Sequence, residues 1–177
     1  MMIGHFLKRE LESMFLHRFS SATMPASNLI TNCSYYWLLN GLFIGYFLLH
    51  PSYTDPNWSP LAYKAFLGTF VVAELMNFLC HLALRNLRPA GSKVRGIPKG
   101  YGFGFVSCAN YFWETVAWAS FAAMVKTVPG YVFLLATLFI LNKWSKARHR
   151  KYLKEFDGKE GRVLYPKGRK AYIPFLV

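Results

Sequence analysis

Long apolar stretches dominate this chain, and short polar or basic segments separate them. Four of the stretches are candidates to cross a bilayer, at about 35–49, 61–84, 103–125 and 131–144. The first and the last have only about 15 residues, so either flanking residues extend them or one of them is re-entrant. The pattern therefore predicts an all-α membrane protein, a bundle of about four transmembrane helices.

The first 20 residues interleave apolar and charged positions and have no uninterrupted apolar core. A cleavable signal peptide needs such a core, so this segment is not one. The interleaving predicts instead an N-terminal amphipathic helix that lies in the membrane interface.

Basic residues lie on one side of the predicted bundle. Three Lys or Arg residues precede the first span, five lie between the second and third spans, and eleven follow residue 142. The turn 50–60 has none. Because positive charge is retained on the cytoplasmic side of a membrane, the four spans alternate consistently with both termini cytoplasmic. The chain then ends in a basic cytoplasmic C-terminal tail.

The second span carries a line of polar residues on one helix face. Steps of three and four residues place them within an arc of about 80°. They are Glu74, Asn77, His81, Arg85 and Arg88. Ionisable groups inside a bilayer are costly unless they face protein or water. The stripe predicts a lined cavity or, alternatively, a hydrogen-bonded seam between helices.

A second polar stripe lies on the third span, within an arc of about 100°. It consists of Ser107, Asn110, Tyr111 and Glu114. Glu74 and Glu114 lie at a similar depth, roughly 15 Å from the cytoplasmic ends of their helices, so the stripes can face each other. We expect a cavity open to the cytoplasm, with its floor near these glutamates and its rim at the arginines. Such a site suits an elongated, phosphate-bearing anion, and Tyr111 could donate a proton in it.

Composition narrows the classes of function. A hydrophobic content of 54% with only eight acidic residues is too apolar for an ordinary soluble domain. The net charge is +13, but the basic residues responsible for it lie between apolar runs, which argues against nucleic acid as a partner. The three cysteines have no ligand spacing, so we predict neither a disulfide framework nor a metal site.

Several segments, in the same order, resemble the steroid 5α-reductase family of membrane NADPH-dependent reductases. They are 84–98 (LRNLRPAGSKVRGIP), 106–118 (VSCANYFWETVAW), 149–156 (HRKYLKEF) and 165–177 (YPKGRKAYIPFLV). Within that family, 8–28 and 32–37 resemble the very-long-chain trans-2-enoyl-CoA reductases. Residues 1–177 are therefore interpreted as the C-terminal membrane domain of the family, without the N-terminal ubiquitin-like half that these enoyl-CoA reductases carry.

The resemblance implies where the cofactor NADPH binds, between the cytoplasmic halves of the helices. The implied cofactor contacts are Asn77, His81, Arg88, Lys93, Arg95, Asn110, Glu114, His149, Tyr152 and Arg169. It also implies that Tyr111 and Lys8 take part in catalysis. His81 stands where steroid reductases carry an Asp, which fits the enoyl-CoA branch, and Ala109 replaces a Pro that usually precedes the Asn-Tyr pair.

The implied function is NADPH-dependent reduction of the C2–C3 double bond of very-long-chain trans-2-enoyl-CoA, the last step of fatty acid elongation in the endoplasmic reticulum membrane. Tyr111 is then the acid or oxyanion donor, and Lys8 is its electrostatic helper. Two alternatives stay open: a reductase of a steroid or polyprenol double bond, and a catalytically idle remnant that binds lipid or scaffolds the elongation complex. The expected partners are an acyl-CoA substrate, the lipid bilayer and other elongation enzymes.

Overall fold

The computed structural model describes residues 1–18, 23–88 and 96–176. Its helices are α1 (Met2–Leu11), α2 (Ser27–Cys33), α3 (Gly45–Leu49), α4 (Pro60–Asn86), α5 (Ala109–Val125) and α6 (Val128–Glu155). Two π-helical stretches, Glu12–Leu16 and Ser34–Ile44, continue α1 and join α2 to α3. The described part of the chain contains no strand, only two isolated β-bridges. The prediction of an all-helical chain is thus confirmed for these residues.

The ends of the longest helices follow from local sequence signals. The Ser59 hydroxyl accepts the Ala62 backbone N–H at the start of α4, and Pro60 occupies the first helical position. Thr127 caps α6 in the same way through the Gly130 N–H. Lys126, with a φ of 50°, ends α5 in the left-handed conformation. A turn of only two residues therefore joins α5 to α6.

Among the residues that the structure describes, two helices, α4 and α6, are long and apolar enough to cross a membrane. The predicted span 35–49 lies within the continuous helix from residue 27 to 49. The predicted span 103–125 starts too early, because residues 100–102 turn with positive φ and α5 begins only at Ala109. The count of four spans stays a prediction.

Helix α5 is the centre of the bundle. It packs against α4 on one side and α6 on the other, and the stretch Ser34–Ile44 contacts α6. Trp118 and Phe121 of α5 meet Phe70 of α4 and Phe133 of α6 in the largest buried cluster. The polar stripes of α4 and α5 therefore lie next to this core, on the same helix pair.

Helix α1 turns its polar face toward the bundle and its apolar face outward. His5 and Glu12 are each only 2% exposed, whereas Ile3 and Leu7 are 84% and 59% exposed. A helix on a soluble domain has the opposite arrangement. An outward apolar face and a buried polar face suit a helix that contacts lipid on one side and polar protein groups on the other.

The C-terminal segment folds back onto the start of α5. The backbone N–H groups of Ser107 and Cys108 donate to the carbonyls of Lys170 and Ala171, over 2.8 and 3.2 Å. Tyr165 is 1% exposed, and its side chain stacks on Tyr152 with ring centroids 5.4 Å apart. The predicted basic tail thus includes the basic end of α6 and a packed segment with buried aromatic side chains.

Candidate functional site

The polar stripes of α4 and α5 face each other and are joined through Asn77. Its side-chain N–H groups donate to the Asn110 carbonyl over 2.8 Å and to Glu114 Oε2 over 3.2 Å. Asn77 is 1% exposed, so these bonds are made away from water. Because Asn110 immediately precedes Tyr111, the contact fixes the turn of α5 that carries the tyrosine.

Helix α1 covers the glutamates that were expected to form the floor of an open cavity. Lys8 Nζ lies 2.7 Å from Asn77 Oδ1 and 2.7 Å from Glu74 Oε2. His5 Nδ1 lies 2.7 Å from Glu74 Oε1, and His5 Nε2 lies 3.3 Å from Glu114 Oε1. A third polar stripe, from α1, therefore pairs with both carboxylates, which the expected open floor did not include, and Glu114 also lines the cavity described next.

Beside this network lies a cavity rich in ring side chains, which we call the aromatic cavity. Its aromatic lining consists of Tyr35, Tyr36, Tyr111, Trp118 and Trp144. Four of the predicted cofactor contacts also line it: Asn77, His81, Asn110 and Glu114. Flat rings with a few polar groups are typical of sites for planar ligands.

A second cavity, which we call the basic cavity, is lined by five arginines. They are Arg9, Arg18, Arg85, Arg88 and Arg148. The predicted contacts His81, Asn110 and Tyr152 line it too. Arginine clusters of this kind bind phosphate groups through charge-assisted, often bidentate hydrogen bonds.

The two cavities adjoin, and Tyr111 lies at their junction. Arg9, His81, Asn110 and Tyr111 line both. The Tyr111 hydroxyl interacts with the Arg148 side chain by hydrogen bonding. A guanidinium next to a phenol can donate a hydrogen bond to the phenol oxygen and stabilise negative charge that develops there. The site can therefore hold an anionic group on one side of Tyr111 and an aromatic or apolar group on the other.

Three other predicted site residues that the structure describes, His149, Arg169 and Lys8, do not line these two cavities. His149 Nδ1 is 2.6 Å from Ser107 Oγ, and Arg169 donates to the Pro98 carbonyl over 3.0 Å, so both join the C-terminal segment to the bundle. Lys8 lines neither cavity and reaches Tyr111 only through Asn77 and the α5 backbone. Lys93 and Arg95 lie outside the described residues.

Three residues that the sequence analysis did not single out lie at this site: His5, Arg9 and Arg148. His5, Lys8 and Glu12 follow each other in steps of three and four, so a helix-face analysis of the N-terminal segment could have found this stripe. Arg148 lies four residues from both Trp144 and Tyr152, on one face of α6. Because many other basic residues surround Arg148 in the sequence, its spacing from Trp144 and Tyr152 does not stand out.

Glu12, His17 and His81 lie close together at the edge of the basic cavity, with one ligand atom from each within 4.8 Å of the others. Burial, together with the charges of His81 and Arg9, lowers the pKa of His17 to about 4. Burial raises the pKa of Glu12, but the hydrogen bond and charge of His81 outweigh it and hold that pKa below its usual value. Arg9 Nη1 is 3.0 Å from Glu12 Oε2. The surrounding arginines favour an anion here over a metal ion.

The fold and the site define a class: a helical membrane protein in which an arginine-lined cavity meets an aromatic one at a tyrosine. The family model described as 3-oxo-5-alpha-steroid 4-dehydrogenase matches residues 22–177. The chain therefore belongs to the steroid 5α-reductase family, as the sequence motifs predicted.

Relatives of this chain carry the names of the predicted branch. A Dictyostelium discoideum protein named very-long-chain enoyl-CoA reductase is 44% identical over 98% of this chain and 55% of its own length. A Caenorhabditis elegans protein named a probable very-long-chain enoyl-CoA reductase is 42% identical over 98% and 56%. A human protein named trans-2,3-enoyl-CoA reductase-like is 29% identical over 98% and 47%. The chain spans about half the length of these curated relatives.

Proposed function

We propose that this chain catalyses NADPH-dependent reduction of the C2–C3 double bond of a very-long-chain trans-2-enoyl-CoA. The observation that carries the proposal is the position of Tyr111, which lines both the basic cavity and the aromatic cavity. A dinucleotide cofactor has phosphates at some distance from its flat reactive ring. Adjoining phosphate-type and ring-type cavities meet both requirements, and the enoyl-CoA reductase names of the relatives supply the substrate class.

The residues of the basic cavity fit the phosphates of NADPH. Arg88, Arg148 and Arg18 line it and would hold these groups through their guanidinium forks. In the aromatic cavity, Tyr35, Trp118 and Asn77 would surround the nicotinamide and the conjugated end of the substrate. When bound, NADPH supplies the hydrogen and electron pair that add to C3 of the enoyl thioester.

The chain's own residues handle the charge and the proton. As the C2–C3 electron pair shifts toward the thioester oxygen, a hydrogen bond from the Tyr111 hydroxyl stabilises the negative charge that develops there. Protonation at C2 re-forms the thioester and completes the reduction, with Tyr111 as the proton donor. Arg148, which hydrogen-bonds Tyr111, stabilises the phenolate that remains.

Lys8 supports this chemistry without contacting the cavities. It pairs with Asn77, which holds the Asn110 carbonyl and Glu114, and so keeps the first turns of α5 in place. Lys8 thereby contributes positive charge behind Tyr111 and orientation through the protein. Glu114 also accepts from Trp118 Nε1 over 3.2 Å, which fixes one wall of the aromatic cavity.

We infer that the protein acts in the endoplasmic reticulum membrane with both termini cytoplasmic, so that NADPH and the CoA group reach the basic cavity from the cytoplasm. Support for the membrane setting comes from α4 and α6 and from the outward apolar face of α1. Other enzymes of fatty acid elongation are the partners expected there.

A substrate panel tests the proposal. Microsomes expressing the chain receive NADPH with a C20 or longer trans-2-enoyl-CoA, a 3-oxo-4-ene steroid or a polyprenol, and the products are identified by mass spectrometry. Saturated acyl-CoA as the main product is the expected result. Reduction of the steroid or polyprenol alone would favour the alternative reductases, and NADPH binding without any turnover would favour an idle scaffold.

A further inference from the structure

The imidazole of His5 lies between two carboxylates that belong to different helices. Glu74 of α4 faces Nδ1 at 2.7 Å, and Glu114 of α5 faces Nε2 at 3.3 Å. Trp118 packs edge-on against the ring, with centroids 4.6 Å apart. His5 is 2% exposed, so water does not compete for these contacts. The residue therefore joins α1 to both helices of the polar stripes at once.

The number of protons on His5 follows from this geometry. A neutral imidazole has one N–H and one lone pair, so it can donate to only one of the two carboxylates. Its other nitrogen would then face a carboxylate oxygen, acceptor against acceptor. An imidazolium has two N–H groups and can donate to both.

The local charges agree with the doubly protonated form. Glu74 and Glu114, the two carboxylates in contact with His5, supply two negative charges, and Lys8, which pairs with Glu74, supplies one positive charge. A positively charged His5 balances these four groups, whereas a neutral His5 leaves one negative charge in excess. An uncompensated buried charge is strongly unfavourable.

We propose that His5 is a positioning residue for the reduction, which as an imidazolium ties α1 to Glu74 and Glu114 and so holds Lys8 against Asn77. The expected effect on kcat rests on the proposed function, whereas the charge of His5 and its contacts do not. Lys8 lies one helical turn from His5 and shares Glu74 with it, so releasing the imidazole releases the helix that carries Lys8. Asn110 and Tyr111 then lose their fixed support, because Asn77 has lost its cationic partner.

Nuclear magnetic resonance of the purified protein, labelled with ¹⁵N-histidine and held in nanodiscs, tests the structural part. At pH 8 both ring nitrogens of His5 should show the chemical shifts of a protonated imidazolium, and His5→Gln should remove that signal and so assign it. Burial lowers the pKa of His5, but the hydrogen bonds and charges of Glu114 and Glu74 raise it to about 9, so the signal should titrate near that pH. A neutral imidazole at pH 8 would overturn the inference.

Steady-state kinetics test the positioning part. His5→Gln should lower kcat for enoyl-CoA reduction by about tenfold or more while leaving the NADPH dissociation constant within about threefold, since the arginines of the basic cavity are untouched. His50→Gln, the same change at an exposed histidine in the turn after α3, is the matched control and should keep wild-type kcat. A His5→Gln enzyme with wild-type kcat would refute the positioning role. A wild type that reduces no enoyl-CoA would refute the proposed function instead, and the resonance experiment alone would then decide the state of His5.

Discussion

Replacing Asn77 by Leu should destabilise the protein, because the Asn77 side chain joins α4 to both α1 and α5. The side chain accepts from Lys8 over 2.7 Å and donates to the Asn110 carbonyl and to Glu114 over 2.8 and 3.2 Å. Leu has the same branched arrangement of non-hydrogen side-chain atoms but makes none of these bonds, so two charged groups and a carbonyl each lose a partner. Because a buried charged group that loses a hydrogen-bond partner costs about 1.5–3 kcal/mol, the two charged groups alone should cost about 3–6 kcal/mol.

Thermal unfolding in detergent, followed by tryptophan fluorescence, measures this loss. For a chain of this size, about 1 kcal/mol corresponds to roughly 2–4 °C, so the midpoint should fall by about 10 °C. Asn86→Leu, the same change at an exposed position of α4, is the control and should stay within about 2 °C of wild type. Asn77→Asp keeps the acceptor for Lys8 but turns a carboxylate oxygen toward the Asn110 carbonyl and Glu114, acceptor against acceptor, and should lower the midpoint at least as much as Asn77→Leu. An Asn77→Leu midpoint equal to that of the control would refute the proposed network.

Three further predictions concern charge, cofactor and the C-terminal segment. Burial opposes protonation of His5 but its carboxylate partners raise the pKa from 6.5 to about 9, so its stabilisation is complete below about pH 6.5 and lost as the pH rises through about 9. The difference in unfolding midpoint between wild type and His5→Gln should therefore shrink from pH 7 to pH 10, and a constant difference would contradict the imidazolium. Arg148→Gln should weaken NADPH binding, measured by fluorescence titration, by about tenfold, with a smaller effect in high salt; unchanged binding would exclude Arg148 from the phosphate site. Tyr165→Phe removes the hydroxyl 2.7 Å from Ser107 Oγ and should cost about 1–3 kcal/mol in the same unfolding assay, whereas a wild-type midpoint would show that this bond is dispensable.

The polar stripes of the two central helices were predictable because helix periodicity alone places their members on one face. Glu74, Asn77 and His81 recur in steps of three and four, and Asn110 and Glu114 do the same on α5. We expected the two stripes to face each other because Glu74 and Glu114 lie at a similar depth in neighbouring helices. The hydrogen bonds from Asn77 to Asn110 and Glu114 are the direct result of that register.

The orientation of α1 could not be predicted from its amphipathic pattern. The same alternation of Leu7 with Lys8 suits a helix lying on the membrane interface and a helix that turns its polar face inward. The choice between these two orientations depends on whether the bundle contains buried carboxylates that need a cationic partner. Those carboxylates belong to other helices, so the pattern of α1 alone does not show them. Pairing His5 and Lys8 with Glu74 satisfies charges that would otherwise be buried alone.

The start of α5 and the role of Arg148 were missed for different reasons. Phe103 and Phe105 are apolar enough to extend a span, but Gly100 and Gly102 take positive φ and turn the chain before Ala109. Arg148 sits among many basic residues of α6, where composition points to lipid headgroups, and only the packing of α6 beside α5 brings it to Tyr111.

The most direct test of the proposed chemistry is Tyr111→Phe assayed with NADPH and a very-long-chain trans-2-enoyl-CoA. The substitution removes only a hydroxyl, at the junction of the aromatic and basic cavities. We predict that NADPH still binds within about threefold of wild type, because the arginines remain, while kcat falls by about 10²–10⁴-fold, the usual contribution of a positioned acid. A Tyr111→Phe enzyme that keeps both its NADPH affinity and its wild-type kcat would contradict the account.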